Sequence, residues 1–126
     1  MLVSSSNLTE TTMRARNLGV NSLEEESLSL TGEEFMTIIG DIQCSECKKS
    51  ICSCSGRPGP PRVKNVQNLR HMQKGFRVLG EANSSHKYAL MVGLENSDNL
   101  VAYLGYGPED KPALAQSYLP ISVGSN

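Results

Sequence analysis

Tryptophan is absent from this 126-residue chain and phenylalanine occurs only twice. With 38% apolar residues in all, the core must be modest. A small core often relies on a staple such as a metal or a disulfide. Long apolar runs are missing too. No stretch approaches the ~18 apolar residues of a membrane helix, so no membrane-spanning role is expected. The opening "MLVSSSNLTETTMRARNLG" has no apolar region of the kind that directs export. An intracellular protein, in the cytoplasm or nucleus, is expected, with its thiols in a reducing setting. Asn7-Leu8-Thr9 and Asn83-Ser84-Ser85 match the glycosylation sequon, which is idle without export.

Acids are also missing from one whole stretch. Between Lys48 and Gly80 there are eight bases and no acid: Lys48, Lys49, Arg57, Arg62, Lys64, Arg70, Lys74 and Arg77. The net charge of −1 hides this, because residues 1–47 carry eight acids against two bases. Segregation of this kind speaks to partners rather than to fold.

What the chain does have is clustered cysteine. All four fall within eleven residues, as Cys44-x2-Cys47-x4-Cys52-x-Cys54. Four thiolates suffice for a closed tetrahedral zinc site, and Cys-x2-Cys presents two sulfurs to one ion. Lys48 and Lys49 would offset the formal negative charge of such a centre. Only four residues separate the two cysteine pairs, so a Cys₃His set is the variant, with His71 the substitute ligand and His86 the other candidate. Buried apolar cysteines, disulfides, a thioredoxin-like motif and an iron–sulfur cluster are the competing readings. Zinc is the reading the pattern supports best. No cysteine, histidine or carboxylate pairing is singled out for catalysis, and the glycines lack the spacing of a phosphate loop. A non-enzymatic protein is expected.

Three segments are predicted. Residues 1–29 read as a flexible arm, with Ser22-Leu23-Glu24-Glu25 able to open a short helix. Residues 30–120 read as one small α+β domain around the cysteine cluster at 44–54, and 121–126 as a loose tail. Within the domain Thr31 caps a helix over about 32–41. Glu34 completes a capping box, and Leu30 with Phe35 forms a hydrophobic staple. Phe35, Ile38, Ile39 and Ile42 make its apolar face. A strand through "FMTIIGDIQ" competes with that helix. "SGRPGPPR" is a semi-rigid connector. Val63, Val66, Leu69, Met72 and Phe76 predict a second, basic helix ending near Gly75. "GFRVLGEA", "KYALMVGL" and "LVAYLGYG" predict a three-stranded antiparallel meander packed on Phe35, Ile38, Ile39, Val66 and Leu69. "EDKPALAQSYL" has room for one or two helical turns.

These features give two functional expectations. The first is a zinc-stabilised regulatory adaptor that binds another protein. The alternative is RNA or DNA binding, with the eight bases of residues 48–80 on phosphates. Asn65, Gln67, Asn68 and Gln73 are then available for sugars or base edges. Aromatics are not interleaved with the bases, which disfavours stacking on single strands. The acidic N-terminal segment can also neutralise the belt, within the protein or across a homo-oligomer. The combination of cysteine knuckle, basic run and acidic arm is similar to that of small viral regulatory proteins, including cysteine-rich silencing or interferon antagonists. That resemblance implies a viral accessory role.

Overall fold

The computed structural model describes residues 1–19, 28–49, 53–54, 56, 59–105 and 107–122. They form a small mixed helix–strand domain consistent with the α+β class. In chain order the elements are β1 (Leu2–Val3), α1 (Leu8–Asn17), β2 (Leu28–Thr31), α2 (Gly32–Ile39), β3 (Ile42–Cys44), β4 (Pro61–Val63), α3 (Val66–Met72), β5 (Phe76–Gly80), α4 (Ser84–Asn96), β6 (Ala102–Gly105), a 3-10 turn (Pro108–Asp110), α5 (Lys111–Gln116) and β7 (Leu119–Ser122).

The expected arm, residues 1–29, carries β1 and α1. Asn7 caps α1, its Oδ1 accepting from Glu10 N–H at 2.8 Å, and Thr11 and Ala15 are buried beneath it. Their small side chains let α1 lie close on β5 without a large apolar stripe, so periodicity alone does not announce it. The helix considered at Ser22–Glu25 lies outside the described residues. The predicted loose tail begins as strand, since Ile121 and Ser122 belong to β7.

α2 starts as its sequence requires. Thr31 Oγ1 accepts from Glu34 N–H at 3.2 Å, and Glu34 Oε1 accepts from Thr31 N–H at 3.1 Å. Leu30 and Phe35 are both buried. The helix ends at Ile39 because Gly40 and Asp41 both take positive φ, 73° and 76°. Gly40 fits that conformation without steric cost. A Cβ there would also stand 2.6 Å from Asn65 Nδ2. Ile42 therefore leaves the helical face and enters β3. The basic helix is likewise shorter than predicted. Val63 belongs to β4, and α3 keeps Leu69 as its fully buried anchor. Asn68 ties α3 to α2, donating from Nδ2 to Ile38 O at 2.9 Å.

Among the described residues no antiparallel meander forms. Its first predicted strand is β5, which is central in a parallel sheet of order β1-β5-β2. Its second, "KYALMVGL", lies in α4. Asn83 and His86 cap this helix reciprocally: Asn83 Oδ1 accepts from His86 N–H at 3.0 Å, and His86 Nδ1 accepts from Asn83 N–H at 3.2 Å. Ala89 to Gly93 are all buried, so α4 runs through the middle of the domain with apolar residues on most sides. An apolar run of that kind has no clean helical period and is easily read as a strand. The third predicted strand is β6, paired in parallel with β7 rather than with its predecessor.

The core gathers where α2, α3, β4 and β5 meet α4. Phe35 and Phe76 stack with ring centroids 5.6 Å apart. Ile39, Leu69, Leu79, Leu90 and Val92 are fully buried around them. Of the predicted packing set, Phe35, Ile39 and Leu69 are core and Ile38 is partly buried against it. Gly93 lets α3 approach α4, since a Cβ there would sit 2.5 Å from Leu69 Cδ2. The β3–β4 hairpin joins this core through Val63, whose N–H donates to Asn96 Oδ1 at 2.9 Å.

Candidate metal centre

The hairpin fixes the first cysteine. β3 and β4 pair antiparallel, with Cys44 opposite Pro61 at their far end from the core contact at Ile42 and Val63. From there the chain folds back tightly. Cys44 N–H donates to Lys49 O at 3.0 Å, Lys48 N–H donates to Cys44 O at 2.8 Å, and Ser45 N–H donates to Pro60 O at 3.1 Å. Lys48 takes a left-handed φ of 59° to close this turn. A non-glycine residue pays for that conformation with about 1–2 kcal/mol.

The result is a cluster of three thiols. The Sγ atoms of Cys44, Cys47 and Cys54 all lie within 4.8 Å of one another. Cys44 Sγ and Cys54 Sγ are 3.8 Å apart, far beyond the ~2.05 Å of a disulfide bond. Two sulfurs each ~2.3 Å from one tetrahedral zinc would be separated by about 3.8 Å. The three side chains thus stand close enough to hold one metal ion. Gly59 keeps the mouth of the loop compact: a Cβ there would lie 2.6 Å from Ser45 Oγ. That hydroxyl is buried with no hydrogen-bond partner among the described residues.

The electrostatics favour the ligand form of the middle thiol. Backbone N–H groups of Ser53 and Lys49 donate to Cys47 Sγ, and together with the neighbouring thiols of Cys44 and Cys54 they lower its pKa from 9.0 to about 6. Cys47 is therefore mostly thiolate at neutral pH, before any metal assists. The sign for stability follows from the depression. In metal-free protein the contribution of Cys47 is fully present above pH 9 and is lost as pH falls through about 6. Metal-free protein is expected to melt lower at pH 6 than at pH 9, with a smaller difference in Cys47→Ala. Iodoacetamide at pH 7, read by mass spectrometry, should modify Cys47 before Cys44. An equal pH dependence of melting in the parent and in Cys47→Ala would contradict the assignment.

The other predicted ligands and cations are placed as follows. Cys52 and Arg57 lie outside the described residues. His71 is exposed on α3 and is not part of the thiol group. Two positions beyond the buried Leu69, it points about 200° around the helix, away from the core. His86 is committed to the α4 cap. Lys48, Lys49, Arg62 and Lys64 are exposed on or beside the cysteine hairpin. Arg70 instead turns to the end of α4, 3.6 Å from Asp98 and donating to Asn96 O at 3.3 Å. Lys74 follows α3, and Arg77 is half-buried on β5. The belt of the sequence is thus divided in space, with Lys48 and Lys49 in the turn that carries the thiols and Arg62 and Lys64 along and beyond β4.

A second polar cluster has no precedent in the sequence reading. Lys87 Nζ donates to Asp110 Oδ1 at 3.1 Å, and Tyr103 Oη donates to the same oxygen at 2.8 Å. All three residues are buried. Burial, then the bond to Asp110 and its negative charge, hold the Tyr103 phenol well above its ordinary pKa. Lys87 and Asp110 are 23 positions apart, and Lys87 sits in a segment whose composition suggested a strand. Only the helical path of α4 turns it toward the turn at Pro108–Asp110.

No protein-family model matches the chain, and no curated protein matches it.

Proposed function

We propose that the protein is a zinc-stabilised, non-enzymatic regulatory adaptor that acts by binding another protein. The observation that supports it best is the thiol cluster, with its 3.8 Å sulfur–sulfur edge and its amide-stabilised Cys47. An all-sulfur shell is the chemistry of a structural zinc, which holds a fold, rather than of a catalytic one, which keeps a position open. The sequence pattern assigns the fourth position to Cys52. Four exposed apolar side chains at β6–β7, Leu100, Leu104, Leu119 and Ile121, favour a protein partner. Parallel strands are normally covered on both faces, and exposed apolar patches mark contact surfaces.

Nucleic-acid binding is the second reading, supported by Lys48, Lys49, Arg62 and Lys64 around the hairpin. Two measurements test the pair of readings. Elemental analysis of purified protein should find one zinc per chain; none would end the zinc reading. A duplex RNA or DNA oligonucleotide should bind weakly and with little dependence on salt. Tight binding that falls steeply between about 50 and 200 mM salt would replace the protein-partner reading with the nucleic-acid one.

A further inference from the structure

A cleft of about 820 Å³ lies between β1 and β6. One wall is the run from Met1 to Ser5, and another is the run from Asn99 to Leu104. A strand that turns a face to a cavity contributes alternate residues, because successive side chains point to opposite faces. Here consecutive strand residues take part, Leu2 and Val3 of β1 and Ala102, Tyr103 and Leu104 of β6, so both strands turn their edges to the cleft. Among the described residues, β1 is an outer strand of its sheet, and β6 is paired on one side only, with β7.

The backbone bonds show which groups face inward. Ser4 N–H donates to Leu79 O at 2.9 Å, and Ser4 O accepts from Ala82 N–H at 3.0 Å. In a parallel ladder the amide and carbonyl of one residue point to the same side, and those of its neighbours to the other. Val3 and Ser5 therefore aim theirs away from β5, at the cleft. On the other wall Val101 O accepts from Leu119 N–H at 3.1 Å. By the same alternation Ala102 and Leu104 aim their amides and carbonyls away from β7. The floor is one face of α4, where Leu90, Met91 and Leu94 line the cleft beside Lys87.

We propose that this cleft is a strand-acceptor site, filled by an extended segment of a partner protein that adds to the edges of β1 and β6. The inference rests on the protein-binding reading above and gives that partner its shape. Rows of amides and carbonyls at strand spacing are matched by another backbone, which is why open edges recruit strands. The size agrees. With a rise of ~3.3 Å, a strand spacing of ~4.8 Å and a layer thickness of ~10 Å, one strand residue takes roughly 160 Å³. The cleft then holds about five residues, close to the length of each wall. The segment alternates apolar residues, which meet the partly buried Leu94 and Val101 above the buried Leu90 and Met91, with polar ones facing out. Glu109, 64% exposed at the rim, favours a basic residue at that end.

The test uses the full chain and a phage-displayed library of random decapeptides. Selected peptides should share alternating apolar positions, and a synthetic copy should slow hydrogen exchange at the amides of Val3, Ser5, Ala102 and Leu104. N-methylation of the peptide's inward-bonding amides should weaken binding by about tenfold or more. Ala102→Pro should do the same while the protein melts normally, because that N–H points away from β7 and takes no part in the β6–β7 ladder. Ser5→Pro serves as the second variant if Ala102→Pro fails to fold. Failure to select any peptide would overturn the proposal, as would binding that ignores N-methylation or protects other amides. Self-association that protects these four amides would overturn it in favour of a second copy of the chain. None of these outcomes alters the zinc content, so failure of the cleft and failure of the zinc-stabilised reading are told apart.

Discussion

If the thiol cluster holds the proposed zinc, a strong chelator is expected to lower the melting temperature by more than about 10 °C, and Cys44→Ser or Cys47→Ser to do the same without chelator. Structural zinc contributes on the order of 10 kcal/mol of apparent binding energy to small domains, much of it realised as folding energy. The hairpin transmits its loss to the core. β3 and β4 pair over three positions only, and Val63 at one end of that pairing is buried in the central cluster. Without the metal the Cys44 end must be held by a few loop hydrogen bonds. The strand then frays toward Val63 and releases its bond to Asn96. A loss of about 3 kcal/mol or more corresponds to the stated shift for a domain of this size. Thermal melts with and without chelator, paired with elemental analysis, provide the measurement. Unchanged melting in both serine variants would show that the thiols stabilise nothing by holding a metal.

Lys87→Met is expected to cost about 3–5 kcal/mol. It removes the ammonium that neutralises Asp110 inside the domain, where both side chains are about nine-tenths covered. Glu109 lies 3.8 Å from the same Nζ but is largely exposed, so its share is small. The cost comes chiefly from stranding a carboxylate, and the rest of the cluster makes that testable. In the triple variant Lys87→Met, Asp110→Leu, Tyr103→Phe, no buried charge or orphaned phenol remains. Replacing a whole buried ion cluster by apolar groups is often neutral, so most of the lost stability should return. Urea melts of the single and triple variants decide it. A triple variant as unstable as Lys87→Met would place the effect in packing instead.

Local chemistry determined the parts of this protein that its sequence discloses. The α2 start is written in Thr31 and Glu34, two residues three positions apart whose side chains each bond the other's backbone N–H. The thiol group is similar in kind: Cys44 and Cys47 share one tight turn, so their proximity needs no distant element. β4 follows Cys54 closely in sequence and sets Pro61 opposite Cys44. Long-range pairing decided the rest. The run from Lys87 to Leu94 has alternating apolar residues that satisfy a strand, and it became helix because Asn83 and His86 cap it and because neighbours bury it on most sides. β5 reads as a strand in either arrangement. Its partners β1 and β2 come from residues before 32, and no local signal distinguishes parallel from antiparallel neighbours. His71 is at a plausible distance in sequence, yet Leu69 sets the rotation of α3 and turns it outward. Lys87 meets Asp110 only because α4 and the turn after β6 pack together. Burial of charge, the rotation of a helix and the choice of strand partner are properties of contacts between distant segments, and the tertiary structure alone settles them.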